Sequence, residues 1–276
     1  MLRSEQESHM GRIAIITGAA QGIGAAVAKQ FLKDGFSGVV LVDRNDTGLV
    51  KQAAALSHLG TVETLSADLR SDNTPQAAVD LAIKSFGRVD VLVNAAGNTE
   101  RCSVEDASVD AYHRLFDVNV KAPLFLIRSA AAAMQKHGQG GVIINIASIL
   151  AHGGPADIGV YAASKAALVG LSKNAANALK RKNIRVFCIN LGWANTDGEH
   201  QLQTGFHQQP ENWAEAAGKL VPFGRLILPS DIAGLCAFLV SPPAQMMTGA
   251  VIDYEQMPVG TYDIHPMIAA SLIKPA

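Results

Sequence analysis

No apolar run in this chain reaches the roughly 18 residues that a bilayer-crossing helix needs, so nothing in it reads as a membrane span. Cysteine is scarce. Cys102, Cys188 and Cys236 are widely spaced with no Cys-x-x-Cys pair, which argues against a disulfide framework or a zinc site and fits a reducing, cytoplasmic compartment. No feature points to a catalytic metal. An excess of charge of either sign is also missing: 23 Lys and Arg against 24 Asp and Glu leave a net charge of -1. That balance gives no electrostatic reason to seek nucleic acid or an anionic membrane. The first nine residues, MLRSEQESH, hold no apolar segment and are expected not to act as a secretory signal. Residues 1–10 are expected to be a disordered lead or a cloning remnant, with Met10 a candidate start. There is no low-complexity segment and no internal repeat. What is present is 276 residues, 49% hydrophobic and 17% charged, enough to bury a sizeable core and expected to form one soluble α/β domain over 11–256, followed by a tail, 257–276.

Short runs rich in Val and Ile recur at 13–17, 39–43, 62–68, 89–97, 142–148, 184–190 and 250–255, and each reads as a strand. Between them, 23–34, 72–85, 109–137, 161–181 and 229–240 carry helical spacing. Strands and helices in alternation, with the strands apolar on both faces, predict a parallel sheet covered on both sides. The expected architecture is a Rossmann-type, doubly wound fold of about seven strands, whose ligands bind beyond the carboxyl ends of the strands. The longest stretch without strand character, 191–228, contains WANTDGEHQLQTGFHQQPENW and is expected to cover the substrate as a lid.

TGAAQGIG, Thr17 to Gly24, follows the first predicted strand and opens the first predicted helix. In that context Gly18, Gly22 and Gly24 let the backbone approach a pyrophosphate, and the helix N-terminus offers N–H groups and partial positive charge. Asp43 ends the second strand, 19 residues after Gly24. A carboxylate there accepts hydrogen bonds from ribose hydroxyls and repels a 2'-phosphate, which points to NAD rather than NADP. Arg44 beside it is the residue that could instead accept a phosphate.

In YAASK, helical spacing puts Tyr161 and Lys165 on one face, one turn apart. A tyrosine is a poor base at neutral pH, but a nearby ammonium favours the phenolate, so the pair can act as a tuned general acid and base. Ser148, thirteen residues before Tyr161, ends the predicted strand VIINIA, where its hydroxyl can bond a substrate oxygen.

Together with AD at Ala67 and Asp68, NAAG at Asn94 to Gly97, Asn119 in FDVNV and LGWANT at Leu191 to Thr196, these motifs resemble the short-chain dehydrogenase/reductase family over about residues 11–256. The resemblance implies hydride transfer between a nicotinamide and a carbonyl or alcohol. It implies that Tyr161 exchanges the hydroxyl proton, that Lys165 lowers its pKa and holds the nicotinamide ribose, that Ser148 orients the carbonyl and that Asn119 supports a water-mediated relay. Asp68 would contact adenine, Asn94 would lie along the cofactor and Thr196 would meet the nicotinamide. The implied cofactor site comprises Gly18, Gln21, Gly22, Ile23, Gly24, Asp43, Asp68, Leu69, Asn94, Ala95, Gly97, Tyr161, Lys165, Gly192 and Thr196. Candidate substrate contacts are Ser148, His152, Tyr161, Trp193 and Asn195. Two departures stand out: Leu191-Gly192 replaces the family's Pro-Gly, and IDYEQ, Ile252 to Gln256, replaces its Val-Asp-Gly-Gly.

The residues around the expected pocket, which also include Asn98, Glu100, Arg101, Gly153, Glu199 and His200, can mostly hydrogen-bond and suit a sugar or polyol. Glu100 and Arg101 could equally pair with each other, and His152 could be a satisfied loop histidine. Two other readings stay open: a dehydrogenase of a hydrophobic hydroxyacyl or steroid-like alcohol, and a non-catalytic NAD-binding regulator. The expected partners are a small alcohol or carbonyl substrate and further copies of the chain, since the family commonly forms tetramers.

Overall fold

The computed structural model describes residues 11–261. Seven strands, β1 (Ile13–Thr17), β2 (Gly38–Asp43), β3 (Thr61–Ser66), β4 (Val91–Asn94), β5 (Gly141–Ile146), β6 (Ile184–Leu191) and β7 (Val251–Tyr254), form one sheet in the order β3-β2-β1-β4-β5-β6-β7. Every pairing is parallel. β1 is buried along its whole length, whereas the edge strand β3 keeps exposed positions, as expected for a strand covered and flanked on fewer sides.

The helices are α1 (Gly22–Lys33), α2 (Asp46–Leu56), α3 (Thr74–Phe86), α4 (Val109–Phe116), α5 (Ala122–His137), α6 (Gly159–Leu179), α7 (Asp197–Gln201), α8 (Trp213–Gly218) and α9 (Pro229–Val240). Two apolar layers sandwich the sheet. One contains Ile16, Val27, Phe31, Leu41, Ile144 and Leu239; the other contains Ile15, Val40, Leu92, Leu126, Met134 and Ile143. Alternate residues of a single strand thus serve opposite layers, as Ile15 and Ile16 do in β1. The tail beyond 261 and the lead before 11 lie outside the described residues. Among the described residues no helix is long and apolar enough to cross a membrane.

Two expected elements differ. The segment 109–137 is not one helix but α4 and α5 joined by a π-helical turn, Asp117–Lys121. Pro123 supplies no N–H to the ladder, so the carbonyl four residues earlier, that of Asn119, loses its α-helical donor. The strand expected over 89–97 stops at Asn94, because the Thr17 hydroxyl accepts the N–H groups of Ala95 and Ala96, both at 3.2 Å, and draws the chain out of the ladder.

Candidate active site

The parallel register brings Thr17, Asn94 and Asn145 into one row near the carboxyl edge of the sheet. Beyond that row lies a cleft of ≈ 1150 Å³. Gly18, Gln21, Gly22, Ile23, Gly24, Asp43, Asp68, Leu69, Ala95, Gly97, Ser148, Tyr161, Lys165, Gly192, Trp193 and Thr196 all line it. Six of the singled-out residues do not, among them Gly153 and His200, whose Nε2 lies 3.0 Å from Glu211 Oε2. Asn94 is buried under the cleft floor, where its Nδ2 donates to Asn145 Oδ1 at 2.7 Å. Asn119 is fully buried behind the wall. His152 turns to the β7 side, with Nε2 3.1 Å from Asp253 Oδ1 and 3.2 Å from Asn190 Nδ2. Asn195 is tied to Ile227 through its backbone N–H at 2.8 Å.

Hydrogen bonds lock the residues expected to react to the frame. Ser148 follows β5, and its hydroxyl accepts the N–H of Leu150 at 3.2 Å. Tyr161 and Lys165 sit in the first two turns of α6. The Lys165 ammonium reaches back under the cleft and donates to the carbonyl of Ile146 at 2.9 Å. Asn119 exchanges two bonds with the backbone of Asn98, at 2.8 and 2.9 Å, and donates to Ser164 Oγ at 2.9 Å; that hydroxyl in turn donates to the carbonyl of Tyr161 at 2.7 Å. A second chain runs from Asn94 through Asn145 to Ser172 Oγ on α6, its last link 2.8 Å. Ser164, Asn145 and Ser172 were not singled out in the sequence. Ser164 had a visible signal, being a small polar residue three positions from Tyr161 inside YAASK, whereas Asn145 and Ser172 are recognisable only once β5 faces α6.

Burial dominates the electrostatics. It pushes the Tyr161 phenol up to about 12, against the opposing effect of its hydrogen bond with Ser148, and pushes the Lys165 amine down to about 8. Lys165 Nζ stands 5.7 Å from the centroid of the Tyr161 ring and is directed at Ile146. The net balance at the phenol therefore runs opposite to what the neighbouring ammonium alone would give. Charges of both signs also reach Tyr161: Glu199 raises its pKa and Arg101 lowers it.

A family model described as Enoyl-(Acyl carrier protein) reductase matches residues 18–255. The chain belongs to the short-chain dehydrogenase/reductases. It is 34% identical over 240 residues to galactitol 2-dehydrogenase of Agrobacterium fabrum, covering 83% of this chain and 90% of the relative. Among solved structures it is similar to L-sorbose reductase from Gluconobacter frateurii complexed with NADPH and L-sorbose, with a TM-score of 0.86 and 29% identity over 92% of this chain and 98% of the other. It is likewise similar to NAD+-bound xylitol dehydrogenase, with a TM-score of 0.81 and 26% identity over 90% of this chain and 99% of the other. The enzyme is thus an oxidoreductase acting on CH–OH groups, with a nicotinamide cofactor.

The glycine turn of this short-chain dehydrogenase/reductase fits such a cofactor. A Cβ on Gly24 would collide with the carbonyl of Gly18, and one on Gly18, at φ 66°, would stand 2.7 Å from Cα of Ala96. Only glycines let β1, α1 and the chain after β4 close together here, with the head of α1 turned to the cleft as a pyrophosphate would require; there the N–H of Gly22 donates to Asp197 Oδ2 at 3.3 Å, a place a phosphate oxygen would take. At the far end the Asp43 carboxylate is fixed by the N–H groups of Ala20 and Asn45 at 3.1 and 3.0 Å. Asp68 is held by its neighbour Arg70, whose Nε and Nη2 donate at 2.9 and 2.6 Å and keep the carboxyl below its ordinary range.

One wall of the cleft is built by the connection from β6 to α9. Thr196 caps α7 by accepting the N–H of Glu199 at 3.1 Å. Trp193 stacks on Trp213 with ring centroids 5.8 Å apart, and its Nε1 donates to Glu199 Oε1 at 2.9 Å. Glu100 pairs with Arg114 rather than with Arg101; Arg101 instead lies 3.4 Å from His207 and 3.8 Å from Asp157. Glu255, in the stretch that departs from the family pattern, also lines the cleft and packs over Gly192, where a Cβ would meet its carboxylate.

Proposed function

We propose that the enzyme oxidises a secondary alcohol of a sugar or polyol with NAD, using Tyr161 as the general base. The observation that carries the substrate class is the pair of opposite charges, Glu199 and Arg101, that face the Tyr161 phenol across one cleft. An apolar alcohol would strip water from both without replacing their hydrogen bonds, whereas a polyhydroxylated one supplies donors and acceptors. The fixed Asp43 carboxylate supports NAD, since a 2'-phosphate would meet a like charge. Gly18, Gln21, Gly22, Ile23 and Gly24 would hold the pyrophosphate side, Asp43, Asp68 and Leu69 the adenosine side, and Ala95, Gly97, Lys165, Gly192 and Thr196 the nicotinamide side. When bound in oxidised form, the nicotinamide would supply a hydride acceptor and a positive charge.

The chain's own residues handle the proton. Ser148 hydrogen-bonds the phenol and the substrate oxygen, and Tyr161 takes the hydroxyl proton from that oxygen. With its pKa near 8, Lys165 is largely charged at neutral pH and favours the phenolate that burial opposes. Asn119 holds Asn98 and Ser164, and through them the backbone of Tyr161. Residues 191–228 act as the lid of a single domain over 11–256, and the protein works in the cytoplasm as a homotetramer.

The test is nicotinamide absorbance with NAD or NADP and a panel of polyols, sugars, hydroxy acids and hydrophobic secondary alcohols. Reduction of NAD by a polyol is the expected result. Reduction confined to hydrophobic alcohols would replace the substrate class, and reduction confined to NADP would replace the cofactor.

A further inference from the structure

Five carboxylates line the cleft, and three of them have both oxygens engaged by the protein. Asp43 accepts two backbone N–H groups, Asp68 is paired with Arg70, and Glu100 is paired with Arg114. Glu255 and Glu199 each use one oxygen only, but Glu255, whose Oε1 accepts the N–H groups of Gln256 and Met257, packs its other oxygen over Gly192. Glu199 is the one whose charge reaches the Tyr161 phenol. Its Oε1 receives Trp193 Nε1 at 2.9 Å and Gln203 Nε2 at 2.8 Å, which aim the side chain from two directions. Its Oε2 takes no donor among the described residues, and Glu199 is in no ion pair among them.

We propose that Glu199 is a specificity-determining residue of this site, its free Oε2 accepting a hydrogen bond from a second hydroxyl of the substrate, away from the carbon that reacts. The inference rests on the polyol reading above and narrows it: the substrate must carry a hydroxyl that Glu199 can read. A half-buried carboxylate with one oxygen already satisfied has no need of a cation, only of a donor, and loses its hydration if the occupant offers none. Its place two residues into α7, directly after the Thr196 cap, couples this recognition to the segment that covers the cofactor side.

The charge of Glu199 also marks its position electrically. The groups that face the Tyr161 phenol are Ser148 from the end of β5, Lys165 from the next turn of α6, Arg101 from the chain after β4 and Glu199 from α7. Of these Glu199 supplies the negative charge, so its removal makes the phenolate easier to form.

The experiment uses the full chain and the isosteric change Glu199→Gln, which keeps an oxygen for Trp193 and Gln203 to donate to. Initial rates are compared for sorbitol and for the monohydroxylic alcohol 2-butanol, with circular dichroism and NADH binding verifying that the variant is folded. The expected outcome is a loss of selectivity for sorbitol over 2-butanol, in kcat/KM, of roughly ten- to hundredfold, as for one charged hydrogen bond. The limb of the kcat/KM profile that reports deprotonation of the base should also move to lower pH, a shift that mere loosening of α7 would not give. A wild type that oxidises sorbitol, with a folded variant of unchanged selectivity and unmoved limb, overturns the role of Glu199 alone. A wild type that oxidises no polyol overturns the substrate class as well.

Discussion

At the residue scale the decisive pair is Tyr161 and Lys165, two ionisable groups placed where burial disfavours the charged form of each. Replacing Tyr161 by Phe removes the proton acceptor without changing shape, so turnover should fall by roughly 10²- to 10⁴-fold or more while NADH binding stays near that of the wild type. Retained turnover would refute the assignment. Lys165 illustrates the cost of such a site. Its amine titrates near 8 in the fold instead of at its ordinary 10.5, so between those two values the unfolded chain binds more protons than the native one, and stability rises with pH. Below pH 8 the full penalty, on the order of 3 kcal/mol, is present. Lys165→Met should therefore abolish turnover yet melt no lower than the wild type at pH 7. The gap between the two should close as pH rises from about 8 to 10.5, as scanning calorimetry would show. Tyr161, raised to about 12, acts in the opposite sense above pH 10, so the comparison is read between about 8 and 10.

At the element scale, function depends on where strands and helices stop. β2 ends on Asp43, and Asp43→Asn keeps an acceptor for the N–H of Ala20 while removing the charge. The ratio of kcat/KM for NADP over NAD should then rise by roughly tenfold or more, measured with one substrate, as expected when a like-charge contact worth several kcal/mol is relieved. The π turn between α4 and α5 turns Asn119 into the interior, where it makes three bonds. Asn119→Ala should cost about 2 to 4 kcal/mol in denaturant unfolding, because it leaves the backbone N–H and C=O of Asn98 without their partner and takes from Ser164 Oγ the donor it accepts. Elements with a strong period were legible in the sequence: β1 and α9 stand where the pattern put them, and every other predicted strand is present with shifted ends. α2 was not legible, because DTG at its start are poor helix formers and only Leu49 and Leu56 of its face are buried. Nor were the short helices α7 and α8, whose stability comes from the Thr196 cap and from Trp213 rather than from periodicity. Within the site, the residues that line the cleft by backbone or by a single side chain could be read from motifs. Where Asn94 and His152 point could not, because that depends on Asn145 of the neighbouring strand and on Asp253 of β7, partners far away in the sequence.

At the scale of the molecule, the two apolar layers consume most large hydrophobic side chains, yet Val109, Tyr112 and Leu124 remain exposed on the successive helices α4 and α5, and Phe238 and Met246 are exposed elsewhere. Two such separated surfaces are what an assembly with more than one kind of interface requires. Light scattering at micromolar concentration should give a tetramer, and Leu124→Arg should reduce its mass without loss of the folded sheet; a wild-type monomer would refute the assembly. The stacked tryptophans have a separate consequence. The chain contains two, Trp193 and Trp213, and both lie in the connection from β6 to α9, the first half-exposed and lining the cleft, the other buried against it. Excited at wavelengths that indole absorbs and phenol does not, the protein therefore emits from this one wall of the cleft, and its emission is a gauge, requiring no attached dye, of how that wall shifts each time substrate arrives or product leaves.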